Sequence, residues 1–262
     1  MKLSISNIAW PAEQDEAMYA FLQQEGFCGI EIAPTRIFAN KPYDQLKSAE
    51  KFAERLRLEY NLTVPSMQSI WYGRSEKIFG SPQERAELIS YTKKAIDFAA
   101  ALGCKNLVFG CPKNRVSSHV EDMEIAVDFF KELGYYALQR NTVLALEPNP
   151  VLYGTNFVNT TPEAFELVSL VNCEGFRVNV DLGTILYNQE NLEPLVQNLE
   201  LVHHIHISEP GLAPIGHRQI HAELARLLKK RKYADFVSIE MKNTGDLREV
   251  QAAISYIKEV FS

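Results

Sequence analysis

The sequence predicts a (β/α)8 TIM barrel, an α/β fold, on three observations. Short apolar or β-branched runs alternate with amphipathic stretches of helical length from one end of the chain to the other. Eight such runs are present, which indicates parallel strands joined by helical crossovers. The length of 262 residues is close to the roughly 250 residues typical of this barrel, which forms one domain. We therefore expect a single barrel domain over residues 1–262.

The elements follow from the hydrophobic pattern and from the residues at its boundaries. The predicted strands cover residues 3–9, 29–33, 63–69, 106–110, 143–147, 176–181, 201–208 and 236–240. Helical periodicity covers residues 44–60, 84–103, 123–140, 162–171, 192–199, 221–230 and 247–261. The pairs Ser81-Pro82 and Thr161-Pro162 each predict an N-cap followed by the first helical residue. Glycines at 103 and 134 lie where helices are expected to end.

An open, doubly wound sheet shows the same alternation of strands and helices. That fold usually carries a glycine-rich phosphate-binding turn after its first strand. The first run here is followed instead by Trp10 and Pro11. The barrel is therefore the favoured architecture.

Composition narrows the class of protein. Hydrophobic residues make up 46% of the chain, which excludes an intrinsically disordered protein. The formal net charge is -6, and the densest basic run, residues 229–232, lies near a helix end where cations face the helix dipole. We therefore expect no nucleic-acid partner, because phosphate binding needs a clustered basic surface.

The N-terminal segment and the cysteines predict a cytoplasmic protein. No run approaches the roughly 18 apolar residues of a membrane span, and the first residues lack the pattern of a leader peptide. The four cysteines have no CxxC spacing, which favours reduced thiols over a zinc site or a disulfide framework. Many barrels pair through their outer helices, so a homo-oligomer is compatible with the sequence.

Each of the last four predicted strands carries an ionisable residue at or near its C-terminal end, and in a barrel the strand C-termini face the active site. These residues are Glu147, Asp181, His206 and Glu240. A buried carboxylate is costly alone, and a cation removes that cost. Three carboxylates and one imidazole suit one divalent ion such as Mn²⁺, Mg²⁺ or Co²⁺, with Zn²⁺ as a further candidate. The alternative is that each residue is an ordinary strand-end cap or ion-pair partner.

Three histidines share the seventh predicted strand. Alternation along a strand places His204 and His206 on one face and His203 on the other. His206 lies nearer the C-terminal rim and is the candidate ligand. His204 is one layer deeper and is a candidate for orienting the site or contacting substrate. We expect His203 to face the surrounding helices.

Loops that follow the strands supply candidate substrate contacts. Lys113 and Arg115 follow strand four and are candidates for binding a phosphate or carboxylate of the substrate. Trp10 and Trp71 follow strands one and three and are candidates for an apolar wall. The alternatives are a solvated loop for the two cations and ordinary packing for the two indoles.

The chain after strands seven and eight carries softer candidates. Lys242, two residues beyond the end of strand eight, is a candidate for substrate contact. His221 ranks slightly above His217 as a residue that covers the substrate. His119, at the start of a predicted helix, is expected to be a surface residue.

The order Glu, Asp, His, Glu at the ends of strands five to eight resembles the xylose isomerase-like superfamily of barrels. The nearest resemblance is to its sugar phosphate isomerases/epimerases, including the ketose 3-epimerases. The segment EPNPVLYGTNFVNTTPEAFELV (147–168) resembles their strand-five region, and HIHISEP (204–210) resembles their strand-seven pattern. The likeness spans nearly the whole chain.

This resemblance implies a function and assigns roles. It implies Glu147, Asp181, His206 and Glu240 as metal ligands, and Glu147 and Glu240 also as a paired acid and base. The activity implied is a metal-dependent isomerase or epimerase of a small sugar or sugar phosphate. Such an enzyme removes a proton beside a carbonyl and returns it, through an enediolate that the metal stabilises.

Two departures from the epimerase pattern leave other functions open. Thr184 stands where the epimerases have a histidine, and SEPGLAPIGH (208–217) stands where they carry an arginine. The alternatives are an endonuclease IV-like metal-dependent phosphodiesterase, a related lyase or dehydratase, and a non-catalytic binding barrel. The endonucleases hold three metals with a larger histidine set, whereas this chain has six histidines, three of them in one strand.

Overall fold

The eight strands of the barrel are all parallel and neighbour one another in the order β2-β1-β8-β7-β6-β5-β4-β3. The computed structural model describes residues 1–262. Its strands are Lys2–Ser6 (β1), Gly29–Glu31 (β2), Ser66–Met67 (β3), Asn106–Phe109 (β4), Val143–Leu146 (β5), Phe176–Asp181 (β6), Val202–Ser208 (β7) and Phe236–Glu240 (β8). β2 and β3 share no continuous ladder and are joined by isolated bridges and backbone hydrogen bonds. The predicted TIM barrel is confirmed, with its seam between these two strands.

Helices lie between the strands along the chain. They are Asp15–Gln24 (α1), Pro34–Ile37 (α2), Leu46–Tyr60 (α3), Pro82–Leu102 (α4), Asp122–Gln139 (α5), Thr161–Val171 (α6), Leu182–Asn188 (α7), Glu193–Gln197 (α8), Gln219–Lys230 (α9) and Leu247–Phe261 (α10). The sequence pattern missed α1, α2 and α7. None of the ten combines the length and the apolar character that crossing a membrane requires, and all four cysteines are free thiols.

The predicted N-cap is confirmed at α4 and wrong at α6. Ser81 caps α4 in a capping box with Glu84, and Pro82 is the first helical residue, as predicted. At α6 the cap is Thr160 rather than Thr161, because the Thr160 hydroxyl accepts from the backbone N–H of Glu163. That prediction was wrong by one residue.

The two glycines expected at helix ends have different roles. Gly103 ends α4 with a φ of 71°, the left-handed conformation that glycine adopts at little cost. Gly134 lies inside α5, so that prediction was wrong. A Cβ at Gly134 would lie 3.0 Å from Cys173 Sγ, and one at Gly175 would lie 2.0 Å from the Gly134 carbonyl oxygen. The pair therefore lets α5 pack closely against the start of β6.

The barrel has an apolar outer layer and a polar interior. Side chains such as Ile5 and Ile239 are fully buried in the hydrophobic core, on strand positions that alternate with polar ones. The alternate positions carry buried polar residues, among them Ser66 and Asn106, whose side chains are hydrogen-bonded at 3.0 Å. A polar interior can carry charged side chains at its C-terminal end.

A register shift in β7 changes the position of one histidine. Val178 pairs with Val202 and Asn179 pairs with His204, which leaves His203 as an extra residue. His203 Nδ1 lies 2.9 Å from the Asn106 side-chain oxygen on β4, and His203 lines a cavity of about 420 Å³ at the N-terminal end of the barrel. The expectation that His203 faces the helices was wrong, because the bulge breaks the alternation.

Candidate metal centre

Four side chains from four consecutive strand ends meet at the C-terminal rim. Glu147, Asp181, His206 and Glu240 each place one ligand atom so that all four atoms lie within 4.8 Å of one another, and all four residues are buried. The β6–β7 register sets Asp181 beside His206. We call this group the rim cluster. It is the set of residues that the sequence picked out.

His206 lies between the rim carboxylates and a second group formed by Glu31 and His204. Its Nδ1 is 2.9 Å from Glu147 Oε1 and 3.3 Å from Glu240 Oε2. Its Nε2 is 2.9 Å from Glu31 Oε2 on β2, and His204 Nε2 is 3.4 Å from the same oxygen. We call Glu31, His204 and His206 the inner cluster; its ligand atoms also lie within 4.8 Å of one another.

Asp181 is held by its neighbours in the chain and by β7. It is the N-cap of α7 and accepts from the backbone N–H of Thr184 at 2.8 Å. The Thr184 hydroxyl lies 2.8 Å from both Asp181 Oδ2 and the Pro148 carbonyl oxygen, and the Ser208 hydroxyl donates to the other carboxylate oxygen. Thr184 is fully buried, so it supports Asp181 and does not line the cavity.

Side-chain amides orient the two glutamates of the rim cluster. Gln68, directly after β3, donates to Glu240 Oε1 at 2.8 Å. Glu147 accepts from Asn179 at 2.9 Å on Oε1 and from Asn149 at 3.1 Å on Oε2. Each glutamate is therefore fixed by neutral donors, which orient a carboxylate without supplying a positive charge.

Burial raises the pKa of each rim carboxyl group. The pKa of Asp181 rises to about 6, because of burial first and then the charge of Glu147. Burial also raises the pKa of Glu147 and of Glu240, and the neighbouring His206 only partly offsets it. A divalent cation among these groups would favour their ionised forms.

The pKa of Glu31 moves in the opposite direction. Burial disfavours its charge, but the positive charge of His206 and the contacts with both histidines outweigh that and hold the pKa well below its ordinary value. Burial likewise disfavours a charged His206, yet the carboxylates of Glu31 and Glu240 raise its pKa well above the ordinary value. The negative charge of Glu31 is thus compensated by His206 and His204.

A cavity of about 170 Å³ opens over the rim cluster. This is smaller than the roughly 300–1,000 Å³ of most ligand pockets, so it suits a small ligand. No lysine or arginine is among the lining residues, which are Gln68, Ser69, Val108, Gly110, Cys111, Pro112, Glu147, Asn149, Tyr153, Asp181, Leu212 and Glu240.

The rim cluster fits a divalent cation by its chemistry. It offers three carboxylates and one imidazole nitrogen, the hard oxygen and nitrogen donors that Mn²⁺, Mg²⁺ and Co²⁺ accept. The three carboxyl groups are buried and have no lysine or arginine partner. Buried carboxylates without a cation carry a large desolvation cost.

The structure does not bring the two predicted loop cations into the cavity. The Arg115 guanidinium is fully buried and donates to the carbonyl oxygens of Gly110 at 2.7 Å and Glu147 at 2.9 Å, and to the Asn149 side chain at 2.7 Å. It therefore ties the loop after β4 to the end of β5. Lys113 is exposed and does not line the cavity.

Neither tryptophan forms a wall of the cavity. Trp10 and Trp71 are almost fully buried. Their indole N–H groups donate at 2.8 Å to Asp15 and to Thr92, respectively. Both side chains are part of the hydrophobic core, and ordinary packing was the alternative that the sequence left open.

The remaining candidates also lie outside the cavity. His221 is buried on α9, with Nδ1 3.1 Å from the Tyr256 hydroxyl, and His217 stacks on the Tyr256 ring at 3.9 Å between centroids. Lys242 is exposed and does not line the cavity. His204 belongs to the inner cluster, beneath the rim, as its deeper position indicated.

The site residues that sequence reasoning missed include Glu31, Gln68, Asn149 and Tyr153. A signal existed for the first two. Glu31 is a charged residue in the apolar run of strand two, and Gln68 follows the end of strand three, so the reasoning used for strands five to eight applies to both. The other two lie in the loop after β5, where periodicity carries no information.

A family model described as a xylose isomerase-like TIM barrel matches residues 19–260. The chain belongs to this family. No match was found among curated proteins.

Solved structures of similar fold include several sugar epimerases. The apo form of 3-keto-D-glucoside 4-epimerase from E. coli is 20% identical over 99% of both chains, with a TM-score of 0.79. The D-psicose 3-epimerase of Clostridium cellulolyticum is 16% identical over 100% of both chains, with a TM-score of 0.81. A family 2 AP endonuclease from Brucella melitensis is 19% identical over 98% of both chains, with a TM-score of 0.76. At these identities the likeness shows the xylose isomerase-like fold.

Proposed function

We propose that this xylose isomerase-like barrel is a divalent-metal-dependent isomerase or epimerase of a small sugar. The observation that carries the proposal is the rim cluster, in which Glu147, Asp181 and Glu240 line one small cavity and meet the buried His206. Their ligand atoms lie within 4.8 Å of one another. The several sugar epimerases among the structures of similar fold support the same reaction class.

The four residues of the rim cluster would hold one divalent ion. Asp181, fixed by Thr184 and Ser208, and His206 would act as ligands only. When bound, the ion would polarise the substrate carbonyl and stabilise the negative charge that develops beside it.

Glu147 and Glu240 are the proposed acid and base. One carboxylate takes the proton from the carbon beside the carbonyl, and the other carboxyl group returns a proton to the same or the neighbouring carbon. The hydrogen bonds from Asn149 and Gln68 hold the two side chains in position. Burial raises the pKa of both groups in the metal-free protein, and a bound divalent ion would favour their ionised forms.

The lining of the cavity favours an uncharged sugar over a sugar phosphate. A bound phosphate normally has arginine, lysine or a helix N-terminus as a partner. The cavity has no cationic side chain, and its three carboxylates would leave a net negative charge even with one divalent ion bound. Arg115 contacts Asn149 of the lining, but its guanidinium donates to that side chain and to backbone carbonyl groups of the loops. It therefore does not face the cavity.

A proton-exchange screen tests the proposed reaction. The protein with Mn²⁺ is incubated in D₂O with a panel of ketoses, aldoses and their phosphates, and deuterium at each carbon is followed by NMR. We expect exchange beside the carbonyl of at least one unphosphorylated sugar, and loss of it in Glu240→Gln. No exchange with any sugar, together with nicking of a duplex that contains an abasic site, would overturn the proposal in favour of the phosphodiesterase.

Metal content is a separate measurement. We expect purified protein to carry about one Mn²⁺, Mg²⁺, Co²⁺ or Zn²⁺ per chain by elemental analysis. The absence of metal, with no change in thermal stability on adding any of these ions, would contradict the metal-dependent mechanism.

A further inference from the structure

Glu31 is a fully buried carboxylate that has no lysine or arginine partner. Its ion-pair contacts are with the two histidines of β7, at 2.9 Å from His206 Nε2 and 3.4 Å from His204 Nε2. Gln68 is its other hydrogen-bond donor, at 3.5 Å. A buried carboxylate in the middle of a barrel is costly, and the shortest ion-pair contact of Glu31 is with the proposed ligand His206.

The two ring nitrogens of His206 face different groups. Nδ1 faces the carboxylates of Glu147 and Glu240, at 2.9 Å and 3.3 Å. Nε2 faces Glu31. A neutral imidazole carries one proton, and a carboxylate that accepts from one nitrogen leaves the lone pair on the other.

We infer that Glu31 is the positioning residue of the metal centre: it holds the proton of His206 on Nε2 and so presents Nδ1 to the metal. A carboxylate behind a metal-bound histidine fixes its tautomer and ring orientation in many metal sites. This inference rests on the metal-binding part of the proposed function and is independent of the sugar chemistry.

The same three side chains admit a competing interpretation. Glu31, His204 and His206 place their ligand atoms within 4.8 Å of one another, so the alternative is a second ion in the inner cluster. Two ions would then share the ring of His206, one on each nitrogen, and the inner ion would have only one carboxylate. The Nδ1–Glu147 contact is as short as the Nε2–Glu31 contact, at 2.9 Å each, so length alone does not place the proton. Nδ1 also lies 3.3 Å from the Asn179 amide nitrogen, which can only donate, and this favours a lone pair on Nδ1 and the proton on Nε2.

The first experiment measures Mn²⁺ binding to metal-stripped full-length protein, from the EPR signal of free Mn²⁺. In Glu31→Gln we expect the affinity to fall by about 10- to 100-fold, the usual effect of losing such a partner, with one ion per chain still bound. The matched control is Asp122→Asn, which removes another buried carboxylate, one that accepts from backbone N–H groups at the start of α5. Its Mn²⁺ affinity should stay within about twofold of the wild-type value.

The second experiment reads the tautomer directly in the Zn²⁺-loaded wild-type protein labelled with ¹⁵N-histidine. Two-bond ¹H–¹⁵N correlations should show His206 with a proton on Nε2 and none on Nδ1. This measurement needs no variant, so it decides the matter even if Glu31→Gln does not fold.

Three outcomes would overturn the inference. They are a His206 whose Nε2 carries no proton, unchanged Mn²⁺ affinity in Glu31→Gln, and two Mn²⁺ per wild-type chain that become one in Glu31→Gln. A correct tautomer with no exchange on any sugar would leave Glu31 in its assigned role and overturn only the proposed sugar chemistry.

Discussion

The rim cluster and the inner cluster share His206 and similar burial, yet they differ in charge balance. The inner cluster sets two imidazoles around one carboxylate, whereas the rim cluster sets three carboxylates around one imidazole nitrogen. The pKa of Glu31 is accordingly lowered, and the pKa of Glu147, Asp181 and Glu240 is raised. Burial of a carboxylate does not by itself mark a metal ligand; the charge balance around it separates the three proposed ligands from Glu31.

The largest expected effect comes from the rim cluster. Glu147→Gln should lower turnover by about a thousandfold or more, because it removes a proposed acid–base group and weakens metal binding. The rate of deuterium exchange on the sugar identified by the screen measures this, and circular dichroism checks the fold. Asp122→Asn serves again as the control. Full activity in both Glu147→Gln and Glu240→Gln would remove the distinction between the two clusters.

Metal binding should stabilise the rim cluster directly. At a free Mn²⁺ concentration of about 100 times Kd, binding contributes about 2.7 kcal/mol to the free energy of unfolding. For a chain of this size that corresponds to a Tm rise of about 5–10 °C. Differential scanning calorimetry with Mn²⁺ and with EDTA gives the comparison. A rise of equal size in Glu147→Gln would place the stabilising ion outside the rim cluster.

The pH dependence of Mn²⁺ affinity should reflect the raised pKa of Asp181 in the rim cluster. In the metal-free protein the pKa of Asp181 is raised from 3.8 to about 6. Protonated Asp181 therefore contributes to the free energy of unfolding at a pH below 3.8, its ordinary pKa. This contribution is lost as the pH rises through about 6. Because Mn²⁺ binds the ionised carboxylate, its apparent affinity should fall by up to about tenfold between pH 6 and 5. Titrations at these pH values test this, and a flat profile would contradict the raised pKa.

The smallest effect is expected from Gln68, whose amide contacts both clusters. It donates to Glu240 at 2.8 Å and lies 3.5 Å from Glu31 Oε1. Gln68→Ala removes a hydrogen bond to a charged group, worth about 1.5 kcal/mol, and should lower turnover about tenfold. Mn²⁺ affinity should change less than in Glu31→Gln. An affinity loss larger than that of Glu31→Gln would assign the positioning role to Gln68.

The fold was predictable because it repeats one pattern that the sequence shows clearly. Strand and helix periods alternate along the chain, and the strand ends could be placed within a few residues. The errors came from local packing. Gly134 lies inside α5 because two backbones must approach closely there, and His203 lies in a bulge. Neither a close approach nor a bulge leaves a mark in hydrophobic periodicity.

The site was predictable only where residues end strands. Glu147, Asp181, His206 and Glu240 converge because parallel strands end at one rim. Loop residues such as Arg115 could not be placed, because an arginine that binds backbone carbonyl groups looks the same in sequence as one that binds substrate. Its burial, rather than its presence, decides between the two.

The seam of the barrel links its closure to the rim. β2 and β3 are joined by isolated bridges at Gly29–Thr63 and Ile32–Met67 and by the backbone hydrogen bonds around them. Glu31 and Gln68 lie on the two sides of this joint. Local opening of this joint would separate Glu31 from His206 and Gln68 from Glu240. Binding of the proposed metal at the rim cluster and closure of the barrel between β2 and β3 would then be coupled equilibria. We expect the amide hydrogens of residues 29–32 to exchange more slowly when Mn²⁺ is bound. Removal of the metal by a chelator should loosen the joint between β2 and β3.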